Sequence, residues 1–372
     1  MDTKAYWVGF SLVKGIGAVR LRAILGHFGD LETAWSAPLS AFGEAGLPAK
    51  VLDNFNQIRH DIKLEKVWEK IQSQGIQVKT WDDDDYPRRL KEIDNAPPVL
   101  YLRGCVDVRD EWGIAVVGTR RVTTYGRQVA EELGAFLARN GVTIISGLAR
   151  GVDAISHQAA LRAGGRTLAV LGSGVDVIYP PEHRRLAEEI VNHGALISDY
   201  PPGTIPDSIN FPPRNRIISG LSVAVVIVEA GETSGALITA TFAAEQGRDV
   251  FAVPGAIYAP QSKGTNRLIQ QGARPLLRVQ DVLDVLNLQQ VQEYKAARLA
   301  FPVDAVEAAL LDILNSEPLY IDEIRIRSGL SIEKVSATLA MMELKGLVHQ
   351  VGGMNYTAVR EAGSDYQGCL NE

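Results

Sequence analysis

The chain has 372 residues, 46% of them hydrophobic and 22% charged, an ordinary globular composition with material for two or three domains. No apolar run is long enough to cross a bilayer, and residues 1–10 lack the basic and long apolar stretches of a secretory leader. Cys105 and Cys369 are too few for a disulfide framework, so a reducing, cytoplasmic setting is expected. The six histidines are scattered, and neither a metal nor a cofactor is expected. The net charge of −6 argues against a generally basic nucleic-acid binder, so phosphate contact requires arginines and lysines to converge locally.

Residues 1–95 read as all-helical. Gly15-Ile16-Gly17 precedes an apolar-periodic stretch (Leu21, Ile24, Leu25, Phe28), and a further helix is predicted over 63–73. The glycine pair fits either a helix-hairpin-helix turn, with Lys14, Arg20 and Arg22 beside it, or a plain turn in a packing module. The run Asp82 to Asp85, then Tyr86-Pro87 and Pro97-Pro98, punctuates the exit.

Residues 96–288 have another texture. Short Val- and Ile-rich runs recur at 114–117, 142–145, 168–171, 223–228 and 250–253, most of them ending in Gly, Ser or Pro. Strands buried on both faces of a parallel sheet read as such continuous apolar runs. Val129, Leu133 and Leu137 mark a helix face between the first two runs, and Gly141 stops that helix. Strand, helix, strand repeated this often predicts an α/β fold, an extended Rossmann-like doubly wound parallel sheet.

A polar linker is predicted over 289–302. Helices predicted over 305–315, 321–328 and 331–345, then a hairpin around Gly352-Gly353, give a C-terminal winged-helix domain over 303–358, followed by a disordered tail over 359–372. Its third helix carries Lys334 and Lys345 against Glu333 and Glu343, after Asp322 and Glu323. That balance suits a protein-binding or regulatory module better than a duplex reader.

Ligands of open parallel sheets bind beyond the carboxyl ends of the strands. The loops there are Gly118-Thr119-Arg120-Arg121, Ser146 to Gly151, Gly172-Ser173-Gly174, Glu229 to Gly235 and Pro254-Gly255, with Lys263-Gly264-Thr265-Asn266 beyond. Glycine lets backbone N–H groups approach an anion. Phe211-Pro212-Pro213-Arg214-Asn215-Arg216 adds guanidinium groups, which match phosphate oxygens, and a ring able to stack on a base. Each feature has a plainer reading: a tight turn for any one glycine, a surface ion pair for Arg120 or Arg214, a core position for Phe211. His157, four residues after Asp153, reads as a hydrogen-bonded structural histidine. Enzyme signatures are missing: there is no GxxxxGK[ST], GxSxG, CxxC or HExxH, and Val177 stands where a dinucleotide fingerprint needs its third glycine.

Together these motifs resemble the DprA/Smf family. The resemblance rests on Gly118-Thr119-Arg120, on Ser146 to Asp153, on Phe211 to Ser222, on Glu229-Ala230 and Ser234 to Ala240, on Val253-Pro254-Gly255, and on Gly264-Thr265-Asn266 with Gly272-Ala273. It implies a dimer that binds single-stranded DNA in a basic pocket and hands it to the RecA recombinase in natural transformation, with no catalysis. Gly118, Thr119, Arg120, Arg121, Gly147, Arg214, Asn215, Arg216, Lys263, Thr265 and Asn266 are then the expected DNA contacts, and Phe211 the stacking ring. Two alternatives stand beside it. A winged-helix transcription regulator is one. The other is a nucleoside-5'-monophosphate phosphoribohydrolase of the LOG type, which needs glutamates where this chain has Ile238 and Thr239. The expected rim therefore grips phosphate without a carboxylate placed to break a glycosidic bond.

Overall fold

The computed structural model describes residues 2–285, 305–314, 318–344, 348–350 and 354–358. The predicted linker and tail lie outside these residues. Two compact units are present, Met1–Val279 and Gln280–Glu372.

The first unit is built on a nine-stranded sheet. Its strands are β1 (Gln77–Thr80), β2 (Val99–Gly104), β3 (Ile114–Val117), β4 (Ile144–Ser146), β5 (Thr167–Val170), β6 (Gly194–Ser198), β7 (Ala224–Ile227), β8 (Asp249–Ala252) and β9 (Arg274–Pro275), in the spatial order 1-2-6-5-4-3-7-8-9. From β6 to β9 every pairing is parallel. The strands β3, β4, β5 and β7 are buried along their whole length, as their largely apolar sequences predict. The chain winds outward from β3 through β4 and β5 to β6, then returns to place β7 on the other side of β3. The carboxyl ends of β3 and β7 therefore flank a topological switch point, where such sheets open a crevice.

The antiparallel strands β1 and β2 extend the sheet past β6. This corrects the reading of residues 1–95 as all-helical: β1 lies inside that stretch. Its four residues alternate too briefly to signal a strand, which forms by pairing with β2 beside it. The helices before β1 share one core with the sheet. Phe10, Phe42 and Phe55 are fully buried in the same cluster as Tyr101 of β2 and Ile190 of the helix Arg184–His193. The Tyr101 hydroxyl meets Ser11 Oγ at 2.9 Å, joining the first helix to the sheet. At the Gly15-Ile16-Gly17 turn, Arg20 donates to the Gly15 carbonyl and Asn54 to that of Lys14, so Arg20 closes the turn.

In the second unit the helices Ala305–Ile313, Ile321–Ser328 and Ile332–Leu344 enclose Leu310, Ile324, Val335 and Leu339. Three short strands, β10 (Leu319–Tyr320), β11 (Val348–Gln350) and β12 (Asn355–Ala358), pair in the order 10-12-11. This is a winged-helix domain. Gly352 and Gly353 of the predicted hairpin lie outside the described residues.

His157 fixes the helix Val152–Arg162 to the sheet. It is fully buried, with Nδ1 2.6 Å from Thr167 Oγ1. Burial, reinforced by the nearby His183 and Arg214 charges, pushes its pKa down from 6.5 to about 3. A depressed histidine gives stability that is complete above the unfolded value and is lost as pH falls from 6.5 towards about 3. Denaturant melts at pH 7 and pH 5 are expected to differ by about 2 kcal/mol on this account, since each pH unit contributes about 1.4 kcal/mol. A His157→Gln variant is expected to lose that part of the slope; an unchanged slope would show that another group carries it.

Candidate functional site

A groove of about 860 Å³ opens at the switch point. The loop after β3 forms its floor. Gly118 passes so close to Val152 and the Glu229 carbonyl that a Cβ would lie 2.6 Å from a Val152 methyl. Thr119 N–H donates to that carbonyl at 2.7 Å, which leaves Arg120 projecting, exposed, into the groove. Glu229 itself is buried and accepts from Thr123 N–H and Oγ1, capping the start of the helix Thr124–Arg139.

The loop after β4 forms a buried carboxylate nest. Leu148 takes φ +57°, unusual for a residue with a side chain, and turns the Gly147 and Ala149 N–H groups onto Asp153 Oδ2 at 3.1 and 3.3 Å. Asp153 is 6% exposed, and burial raises its pKa while Arg214 and these donors pull it down. Arg214, on the helix Phe211–Gly220, is only 4% exposed and donates through Nη1 to the Val170 carbonyl at 2.6 Å. Burial brings its pKa down to about 10, partly offset by the Asp153 carboxylate and deepened by Arg120. The guanidinium is thus held at the carboxyl edge of the sheet by the Val170 carbonyl, with the Asp153 carboxylate offsetting its charge in a low-dielectric setting.

Phe211 lies at the centre of the cationic groups. The Arg120 and Arg214 guanidinium carbons are 5.7 and 5.8 Å from its ring centroid, within cation–π range. Tyr179 packs against the same ring at 5.7 Å. On the other side Lys263 lines the groove, half-exposed, 3.7 Å from Glu232.

The structure brings Gly118, Thr119, Arg120, Phe211, Arg214, Asn215 and Lys263 into this one groove. Gly147 lies under Arg214, where a Cβ would fall 1.9 Å from Nη1. Arg121 is exposed but does not line the groove. Three expected contacts are elsewhere. Arg216 pairs with Asp199 at 2.8 Å, because it is two residues past Arg214 on a helix and so faces another way. Thr265 is buried and donates to the Ser262 carbonyl, and the Asn266 amide bonds the Gly255 backbone on both sides, holding the Pro254-Gly255 turn. Two carboxylates, Asp153 and Glu232, also line the groove. Ile238 and Thr239 line it too, where the hydrolase would need its glutamates.

Tyr179 is a groove residue that the sequence does not single out. It follows Gly172-Ser173-Gly174 by five residues, beyond the span of a loop judged from its strand end, and its only local signal is the proline after it.

With this geometry in place, comparison with known proteins decides the family. The profile described as DNA recombination-mediator protein A matches residues 77–287, and that of the DprA winged helix domain matches 295–354. The chain belongs to the DprA/Smf family. Protein Smf of Synechocystis sp. is 40% identical over 390 aligned positions, covering 95% of this chain and 98% of that protein. DNA processing protein DprA of Bacillus subtilis is 43% identical over 231, covering 62% and 78%. The crystal structure of DprA from Streptococcus pneumoniae superposes with a TM-score of 0.68 at 35% identity, over 75% of this chain and 97% of that one. DNA processing protein A of Helicobacter pylori, whose structure is described for its single-stranded DNA binding mode, superposes at 0.52 with 31% identity, over 57% and 97%.

In this DprA/Smf member, a Gly147→Ala substitution is expected to push the Arg214 guanidinium off the Val170 carbonyl, because its new methyl has nowhere else to go. Stability should fall by about 1–3 kcal/mol in urea melts; a variant as stable as the parent would show that Arg214 is not fixed there.

Proposed function

We propose that this chain binds single-stranded DNA along the groove at the switch point and acts as a non-catalytic recombination mediator. The observation that carries the reading is the convergence of Arg120, Asn215 and Lys263 on one groove, around a buried Arg214. Arg120 is exposed, and among the described residues no carboxylate forms an ion pair with it, so its donors are available to a phosphate. The Helicobacter pylori relative supports the choice of a single strand as ligand. Family membership supports the further steps: delivery of the strand to RecA during DNA uptake, action as a homodimer, and a cytoplasmic location. Among the described residues no helix is long and apolar enough to cross a membrane.

The absence of catalysis is proposed on the chemistry of the lining. Asp153 is held by two backbone amides and faces a buried arginine, so it is poorly placed to exchange protons with a substrate. Ile238 and Thr239 have no carboxylate to offer in place of the hydrolase's glutamates.

Affinity for single strands is expected to fall steeply with salt, and Arg120→Ala to weaken binding to all sequences alike. For every phosphate that the variant no longer neutralises, the log–log salt slope should become shallower by about 0.7. Fluorescence anisotropy across a salt series measures both effects, and a salt-independent affinity would overturn the reading. Release of free base from a nucleoside 5'-monophosphate by the purified protein would instead favour the hydrolase.

A further inference from the structure

We propose that a second cavity, on the margin of the sheet opposite Lys263, docks a peptide segment of a partner protein that carries carboxylates beside an aliphatic side chain. The cavity measures about 430 Å³, within the range of ligand and peptide pockets. It lies between Arg103 of β2 and the helix Arg184–His193, which packs on β2 and β6. No residue lines both this cavity and the groove at the switch point.

A guanidinium carries several N–H donors, and where the chain covers it those donors are ordinarily spent. Arg103 departs from this. Among the described residues it is the only part-buried arginine whose side chain has no hydrogen bond, ion pair or ring contact; every other one is engaged. Arg184, in the first turn of the helix, is exposed and equally unpaired, although Asp176 and Glu188 line the same cavity. Asp176 is already met by the Gly203 N–H at 2.8 Å. Two planar forks of donors thus stand open on one cavity, the arrangement that carboxylate oxygens match.

The rest of the lining selects a peptide over a nucleic acid. Ile178, Ala187 and Val191 supply aliphatic surface, and the last two share a helix face with Arg184. None of the described residues lining the cavity is aromatic, so a nucleobase finds no ring to stack on. The charges point the same way. Asp176 and Glu188 balance the two arginines, so a row of phosphates gains no net attraction. A peptide instead presents one or two carboxylates to the arginines, an aliphatic side chain to the floor and its own N–H groups to Glu188.

The test uses the full chain and a labelled peptide, Gly-Ser-Gly-Asp-Val-Leu with a free carboxyl end, followed by fluorescence anisotropy. Arg103→Gln is expected to weaken binding about tenfold, the loss of one charge-assisted contact, and Arg184→Glu to weaken it at least as much. The same peptide with Asn in place of Asp and an amidated end is expected to bind parent and variants alike, at the weak level. Arg184 is exposed, so its variant keeps the test valid should Arg103→Gln fold poorly. No binding of the free-acid peptide, or equal binding by the parent and both variants, would overturn the proposal. So would a loss of affinity for labelled oligothymidylate in the two variants with peptide binding unchanged, which would make the cavity a nucleic-acid contact.

Discussion

The buried guanidinium of Arg214 is the constraint around which the carboxyl edge of the sheet is arranged. A charge taken out of water must be met by an opposite charge and by hydrogen-bond acceptors. The Asp153 carboxylate supplies the charge and the Val170 carbonyl at the end of β5 accepts from Nη1, while the buried Nε has no protein acceptor. Asp153 in turn needs donors, and the left-handed backbone at Leu148 turns two amides towards it. Gly147 has no side chain because the guanidinium occupies that space. Phe211 covers the result, and Arg120 extends from its ring into solvent. One buried cation thus ties together the loops after β4 and β5 and the helix that begins at Phe211.

Much of the fold was legible in the sequence because its central strands are buried on both faces. Val116-Val117 and Val225-Val226-Ile227 have no polar partner to interrupt them, so the parallel sheet announces itself. The antiparallel margin was not legible. Gln77 to Thr80 is a strand only because β2 is beside it, and its alternation is too short to separate from the turn of an ending helix. Similarly, Ala195-Leu196-Ile197 of β6 gives only three apolar residues after a glycine.

The candidate site was legible at the level of loops and less so at the level of side chains. Glycines and arginines after strand ends pointed to the right edge. Linear order could not separate Arg214 from Arg216, two residues apart on one helix and facing different surroundings, one buried under Phe211 and the other paired with Asp199. Nor could it distinguish an asparagine that fastens a turn, Asn266, from one that lines the groove, Asn215. The acidic balance of the whole chain was equally uninformative. Arg120, Arg214 and Lys263 meet in the groove, while carboxylates such as Asp107, Asp110 and Glu229 are engaged in ion pairs and a helix cap elsewhere.

The outer margin of the sheet has its own consequence. The last strand, β9, is two residues long and ends in Pro275, which has no N–H to offer. Strand addition is therefore blocked on that flank: an incoming chain would find no ladder to continue. Any protein surface that meets this rim has to be recognised by shape and side-chain chemistry, which makes the contact depend on sequence in a way that a shared backbone ladder would not.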